Sequence, residues 1–227
     1  MVRRRRMIRS YDPERPVPDA VLDQALDHAV RAPSAGFSQG WDFVVLRDGP
    51  ARDRFWAASR VGDAVPDSWL TGMMSAPVLV LCLSDKAAYL DRYAEPDKGW
   101  ADRAEDRWPV PYWDVDTGMA ALLMLLTAVD HGLGGCFFGV PPQTHDAVRA
   151  AFDVPTGRRL VGVVSLGYPA ATDRRSPSLR RGRRPVQQVA HEGRFGVPYG
   201  TPDAATSPGS ALSPPAGPGG SGPPAGS

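Results

Sequence analysis

Arginine is concentrated near both ends of this sequence. Arg3 to Arg6 and Arg9 stand near the start, and Arg174, Arg175, Arg180, Arg181, Arg183 and Arg184 form a second group. A guanidinium is a planar fork of N–H donors that can grip a phosphate through two oxygens at once. If folding brings the ends together, the two groups form one anion pocket, with Tyr11 as an aromatic neighbour of Arg9. The second candidate is the stretch RAPSAGFSQGW, Arg31 to Trp41. Pro33, Ser34, Ala35, Gly36 and Ser38 are small or turn-forming, so main-chain groups there are open to close approach by a flat ligand. Ser34, Ser38 and Gln39 add side-chain groups suited to the edge of a heteroaromatic ring. The third is the run Gly132 to Gly139. Gly132 reads as a helix C-cap, and Gly134 and Gly135 permit a ligand to lie close to the backbone. The ordinary alternatives are a solvated charged face, a helix-to-strand loop and a plain helix end.

Other chemistries fit less well. Gly36-Phe37-Ser38-Gln39-Gly40 matches G-x-S-x-G. A nucleophile elbow, however, needs a strand before the serine and a helix after it, and here that order is inverted. Asp173 and His191 complete a triad with Ser38 only on paper. The glycine run has Phe137 where a dinucleotide fingerprint has its third glycine, and it too runs from helix to strand. None of His28, His131, His145 and His191 pairs with another ligand at metal-site spacing, so no metal site is expected. Cys82 and Cys136 lie in apolar runs and read as buried, inert thiols of a reducing cytoplasm. No carboxylate pair stands out as an acid/base couple. A chain with few catalytic side chains and many binding features points to a cofactor that carries the reaction.

The elements that must position these residues follow from pattern. The chain has 227 residues and a formal net charge of +1, which gives no global drive toward nucleic acid or anionic membrane. Arg3 to Arg6 are like the start of a signal peptide, but prolines and Asp12 follow where an apolar stretch belongs. The apolar run Met119 to Val129 is shorter than the roughly 20 residues a bilayer requires and reads as a buried core helix. Residues 201–227 are Pro, Gly, Ser and Ala with almost no large apolar side chain, so disorder is expected there and one folded domain over 1–200. Helices are expected over 19–30, 50–60, 67–74, 115–130 and 143–152, and strands over 41–46, 77–83, 135–140 and 160–166. The unbroken apolar run Pro77 to Leu83 reads as a strand covered on both faces. Residues 84–113 mix charge with aromatic side chains and read as a partly helical excursion outside the core. The fold class is then an α+β or α/β sandwich with helices on both sheet faces.

Three segments, in order, resemble one family. Arg5-Arg6-Met7-Ile8-Arg9-Ser10-Tyr11 resembles the R-R-S-x-R-x-[F/Y] opening of the nitroreductase family. Ala32 to Trp41 resembles its A-P-S-x-x-N-x-Q-P-W loop, and His131 to Gly139 its G-L-G-x-C-x-x-G helix end. Arg181-Gly182-Arg183-Arg184-Pro185 resembles a closing basic motif. The resemblance covers about residues 3–195. It implies an α+β three-layer sandwich, with a central mixed, mainly antiparallel sheet flanked by helices, in an intertwined homodimer with FMN at the interface. It implies that Arg5, Arg6, Met7 and Arg9 bind FMN from one end of the chain and Arg181 and Arg183 from the other. Pro33, Ser34, Ala35, Phe37 and Gln39 would form the cradle, reaching the partner's flavin. Gly134 and Gly135 would bring N–H groups to flavin N5. Tyr93, Trp100, Trp108, Tyr112 and Trp113 would form a lid over the substrate.

Three positions depart from the family pattern. Met7 replaces a serine, so only its backbone can serve. Phe37 replaces an asparagine. Gly40 replaces a proline, which predicts a looser turn. The implied activity is a cytoplasmic FMN-dependent oxidoreductase that passes hydride from NADH or NADPH through flavin N5 to a nitroaromatic, quinone or enone by a ping-pong mechanism, with no catalytic side chain. The alternatives are a flavin-binding protein without turnover and an oxygen-using, flavin-consuming enzyme resembling dimethylbenzimidazole synthase. The acceptor and the choice between NADH and NADPH stay open, as does the role of the tail.

Overall fold

The computed structural model describes residues 1–62 and 65–200. Met1–Arg175 forms one compact unit, and a second begins at Ser176. The tail over 201–227, expected to be disordered, lies outside the described residues.

In the first unit one or two helices separate each strand from the next. α1 (Asp19–Ala29) leads to β1 (Trp41–Leu46), α2 (Gly49–Ala58), α3 (Ser68–Met74) and β2 (Val78–Asp85). α4 (Lys86–Ala94), α5 (Tyr112–Asp130), β3 (Gly134–Phe138), α6 (His145–Ala151) and β4 (Arg158–Gly167) follow. The strands form one sheet in the order β1-β2-β4-β3, with every neighbouring pair antiparallel. Its mixed character comes from the N-terminal strip, where Met7 bridges Gly135 in the parallel sense and covers the free edge of β3.

β2 explains the layering. Val78, Val80 and Cys82 point into a core shared with α1 and α5, whereas Leu79, Leu81 and Leu83 point into one shared with α2 and α6. A two-residue side-chain period on a strand that is apolar throughout requires cover on both faces, and helices supply it. α5 is long and apolar enough to span a bilayer by length alone, but it packs on α1 and on the sheet, and half of its apolar window is buried in the fold. It stops in a Schellman turn. Leu133 N–H donates to Ala128 O and Gly132 N–H to Val129 O, with Gly132 at φ +75°.

The aromatic excursion needs a correction. Tyr112 and Trp113 belong to the first turn of α5, and Trp113 is buried, as is Tyr89 on α4. Most charges of this stretch face outward, Tyr89 and Trp113 face in and Tyr112 stays exposed, and a composition reading averages over them.

In the second unit, short 3-10 turns cover Pro177–Arg181 and Val186–Gln188, and His191 bridges Pro198.

Candidate functional site

The N-terminal strip is fixed to the first unit by its backbone. Ile8 N–H donates to Gly135 O, Asp12 N–H to Tyr168 O, and Ala170 N–H to Ser10 O. Tyr11 anchors it from inside, with its hydroxyl bonded to Ile8 O at 2.9 Å and to Ser165 Oγ at 2.7 Å. Burial pushes the Tyr11 phenol well above its usual range, so it stays a neutral donor.

Asp173 completes the anchor, and sequence reasoning missed that role. Its carboxylate is almost wholly buried. Oδ1 accepts from Arg9 N–H at 2.8 Å and Ser10 N–H at 3.1 Å, and Oδ2 accepts from the Arg6 guanidinium. The only signal was an acid beside Arg174-Arg175. The strip thus meets the 168–173 segment, through an acid rather than an arginine. Arg6, expected to hold phosphate, is ion-paired to Asp173.

Arg5 and Arg9 differ from Arg6. Arg5 Nη1 is buried and lacks a hydrogen-bond partner among the described residues. The Arg9 guanidinium makes one long contact, 3.5 Å to Met7 O. Both lie close enough to Cys136 to act on its thiol. Burial pushes that thiol up, Arg9 and Arg5 pull it down, and Asp173 pushes it up. The strip that carries both arginines runs along the edge strand β3, through the Met7–Gly135 bridge and the Ile8 N–H bond to Gly135 O. A buried donor without an acceptor is costly, so Arg5 fits an anion such as the phosphate of FMN. Arg181 and Arg183 lie in the second unit and are exposed.

Gly134 and Gly135 are tightly packed. A side chain at Gly134 would stand 2.1 Å from Ile8 Cγ1, and one at Gly135 would stand 2.7 Å from Leu125 Cδ2 and 2.9 Å from Ser165 O. On the side where a Cβ would stand, these glycines make room for the protein's own packing. Over Gly139, three residues beyond Cys136, a side chain would meet nothing within 4 Å.

The cradle loop is built from a buried acid. Asp116, 1% exposed on α5, accepts from Ala35 N–H and from the Tyr89 hydroxyl, each at 2.8 Å. Burial first, then the bond to Asp116, pushes the Tyr89 phenol up. Arg92 Nε donates to Gly36 O at 2.9 Å and its other nitrogens hold Asp97. Ser34 Oγ accepts from Gln39 N–H, and Ser38 Oγ donates to Ala35 O. Ser38 is a turn-forming hydroxyl with no nucleophile geometry. Gly36, Phe37 and Gln39 all have positive φ. For Phe37 and Gln39 that costs roughly 1 kcal/mol each, and Phe37 is left 75% exposed at the tip.

Gly40 is a second correction. Its turn is tight, since a side chain there would stand 2.6 Å from both Asp85 O and Tyr89 Cε2. Tyr93 packs on Gly36, and Trp108 sits amid Tyr89, Tyr93, Trp100, Tyr112 and Trp113 with ring centroids 4.6 to 6.2 Å apart across the cluster. Among the described residues no three His, Cys, Asp or Glu side chains gather as metal ligands.

This fold, with an arginine-bearing strip on β3 and a cradle on α5, defines a class. The nitroreductase family model matches residues 2–168, and the chain belongs to the nitroreductase family. An NADH dehydrogenase of Thermus thermophilus is 32% identical over 186 residues, covering 74% of this chain and 84% of that protein. A protein of Archaeoglobus fulgidus, provisionally named NADH dehydrogenase/NAD(P)H nitroreductase, is 29% identical over 171 residues, covering 74% and 83%. A nitroreductase-like protein of Exiguobacterium sibiricum, solved in complex with FMN, shares the fold at a TM-score of 0.63 and 20% identity, covering 84% of this chain and 94% of that one.

Proposed function

We propose that this oxidoreductase binds FMN as a homodimer and passes hydride from NADH or NADPH to a small organic acceptor by a ping-pong mechanism. When bound, FMN supplies the hydride acceptor and donor at N5. The chain's residues supply placement and charge. The observation that most supports the reading is Arg5, half-buried, with a buried Nη1 that lacks a partner among the described residues, on the same strip along β3 as Arg9. On this reading both hold the phosphate. Asp173 keeps the Arg9 backbone in place, and Arg6 joins them from its ion pair.

The cradle's N–H and hydroxyl groups are largely used inside the loop. We therefore read Pro33 and Phe37 as apolar cover for a partner's flavin, with Ser34, Ala35 and Gln39 shaping the turn that presents them. The aromatic cluster from Tyr93 to Trp113 backs this loop. Val115 and Leu122, exposed on α5, are the apolar surface that a second copy would cover.

The test is an anaerobic titration of FMN-loaded protein with NADH and NADPH, followed by 2-methyl-1,4-naphthoquinone. Bleaching near 450 nm by either nicotinamide, and recovery on adding the quinone, is the expected result. Loaded protein that no nicotinamide bleaches defeats turnover and leaves a flavin-binding protein. Recovery with dioxygen but not with quinone would favour the oxygen-using reading.

A further inference from the structure

The aromatic cluster behind the cradle loop has a hub, Trp108. Centroid to centroid, its ring meets Tyr93 at 4.6 Å, Trp100 at 5.6 Å, Tyr89 at 5.9 Å, and Tyr112 and Trp113 at 6.0 Å. Edge-on contacts of this kind stabilise a core, but packing alone does not account for how the polar groups are arranged. The cluster runs from Tyr112, 41% exposed, to Tyr89, which is buried. Its inner end carries a base, since the Tyr89 hydroxyl donates at 2.8 Å to the buried Asp116. Its hub carries none. Trp108 Nε1–H is buried and has no hydrogen-bond partner among the described residues. Two side rings lie under cations, with Lys98 Nζ 5.2 Å from the Tyr93 ring and the Arg107 guanidinium 5.5 Å from that of Trp100. A cation is attracted to the electrons of a ring, so a ring beneath one loses an electron less readily. The easier path is Tyr112, Trp108, Tyr89, in two steps of 6.0 and 5.9 Å.

We propose that the cluster is an electron relay, in which Tyr89 gives an electron outward through Trp108 to a one-electron oxidant at the surface, an oxygen-centred radical such as the carbonate radical. The oxidant gains one electron and becomes its closed-shell anion. Trp108 carries the vacancy as a radical cation, because its N–H proton has no acceptor to go to. Tyr89 fills that vacancy. Its O–H bond breaks, the proton passes to the Asp116 carboxylate 2.8 Å away, and a neutral tyrosyl radical is left. Before oxidation the proton stays on Tyr89, whose phenol is pushed up by burial first and then by its bond to Asp116. An electron from a reductant such as ascorbate, returning along the same rings, restores the phenol with the proton that Asp116 has kept. The relay thus holds one oxidising equivalent in reversible form, away from the loop and the core. It does not rest on the proposed flavin.

The test is flash photolysis of the full chain with tris(bipyridine)ruthenium(II) and pentaamminechlorocobalt(III), which together generate a one-electron oxidant in solution. Transient absorption follows the radicals. A tryptophanyl radical cation is expected first and a tyrosyl radical after it, with the second step slower in D2O. Tyr89→Phe keeps the ring and removes the phenol. It is expected to lose most of the tyrosyl signal and to prolong the tryptophanyl one. Asp116→Asn keeps an oxygen for Ala35 N–H but replaces the proton-accepting carboxylate, and the same change is expected. Trp108→Phe breaks the path at its hub and is expected to lose the same tyrosyl signal. Because Tyr89→Phe and Trp108→Phe each keep a ring in place, either one decides the matter if the other does not fold. A tyrosyl signal that survives these ring substitutions overturns the relay. So does a tyrosyl step that neither D2O nor Asp116→Asn alters. The experiment needs no flavin, so it decides the relay even if the protein takes up no FMN and the proposed function fails.

Discussion

Asp173 shows how much of the site rests on one carboxylate. Its two oxygens divide the work, since Oδ1 takes the N–H groups of Arg9 and Ser10 while Oδ2 takes Arg6. Asp173→Asn keeps the Oδ1 bonds and loses only the ion pair to Arg6, which is part-exposed and can rehydrate. It should cost about 1 kcal/mol, whereas Asp173→Ala should cost about 2–4 kcal/mol and release the strip. Urea unfolding of both variants checks this, and equal losses would contradict it. Cys82 gives a pH dependence. Burial pushes its thiol from 9.0 up to about 12. The folded state thus favours the neutral form, so this contribution is complete below pH 9 and is lost as pH rises from 9 to about 12. Cys82→Ala should reduce the alkaline loss of stability by one proton's worth in that window, measured by denaturant midpoints against pH. At this scale the sequence announced residue types better than their jobs. The arginines of the strip stood out as a run of charge, but nothing in composition marks which one an acid will occupy. Gly134 and Gly135 signalled closeness without saying to what. Ile8 and Leu125 fill that space, and those contacts join residues more than a hundred positions apart or on different elements.

The elements were the most legible level. α1, α5 and all four strands follow from apolar spacing and from proline and glycine at their ends, because those signals are local. What escaped was how elements hold one another. Asp116 lies in the most apolar helix of the chain and is bound to a loop 81 positions away. An acid in such a run is the available signal, since its burial demands partners. Asp116→Ala leaves Ala35 N–H and the Tyr89 hydroxyl without their acceptor. The expected cost is about 2–4 kcal/mol, with amide exchange at Ala35 and Phe37 rising well above that of β2. Exchange that changes equally across the sheet would mean that Asp116 supports the fold in general and not the loop in particular. Gly40 was misread for the same reason: its substitution for proline suggested slack, but Asp85 and Tyr89, from the next strand and helix, close over it.

For the whole molecule, the order β1-β2-β4-β3 leaves β3 at an edge, and the N-terminal strip covers it. That arrangement brings the strip with Arg5 and Arg9, and Asp173 that anchors it, to one strand. No window of sequence displays this gathering, because it is produced by topology. The exposed Phe37, Val115 and Leu122 predict a dimer, and sedimentation equilibrium of the full chain should give twice 24.4 kDa. The central claim is that the half-buried Arg5 and Arg9, on the strip along β3, exist to hold the phosphate of FMN. It is tested most directly by titrating the apoprotein with FMN and, separately, with riboflavin, which lacks the phosphate, while following the flavin's fluorescence. The account predicts saturation at one FMN per chain, riboflavin weaker by at least a hundredfold, and an Arg5→Ala variant that binds the two nearly alike. FMN and riboflavin binding equally well to the unaltered protein, or neither binding at all, would contradict it.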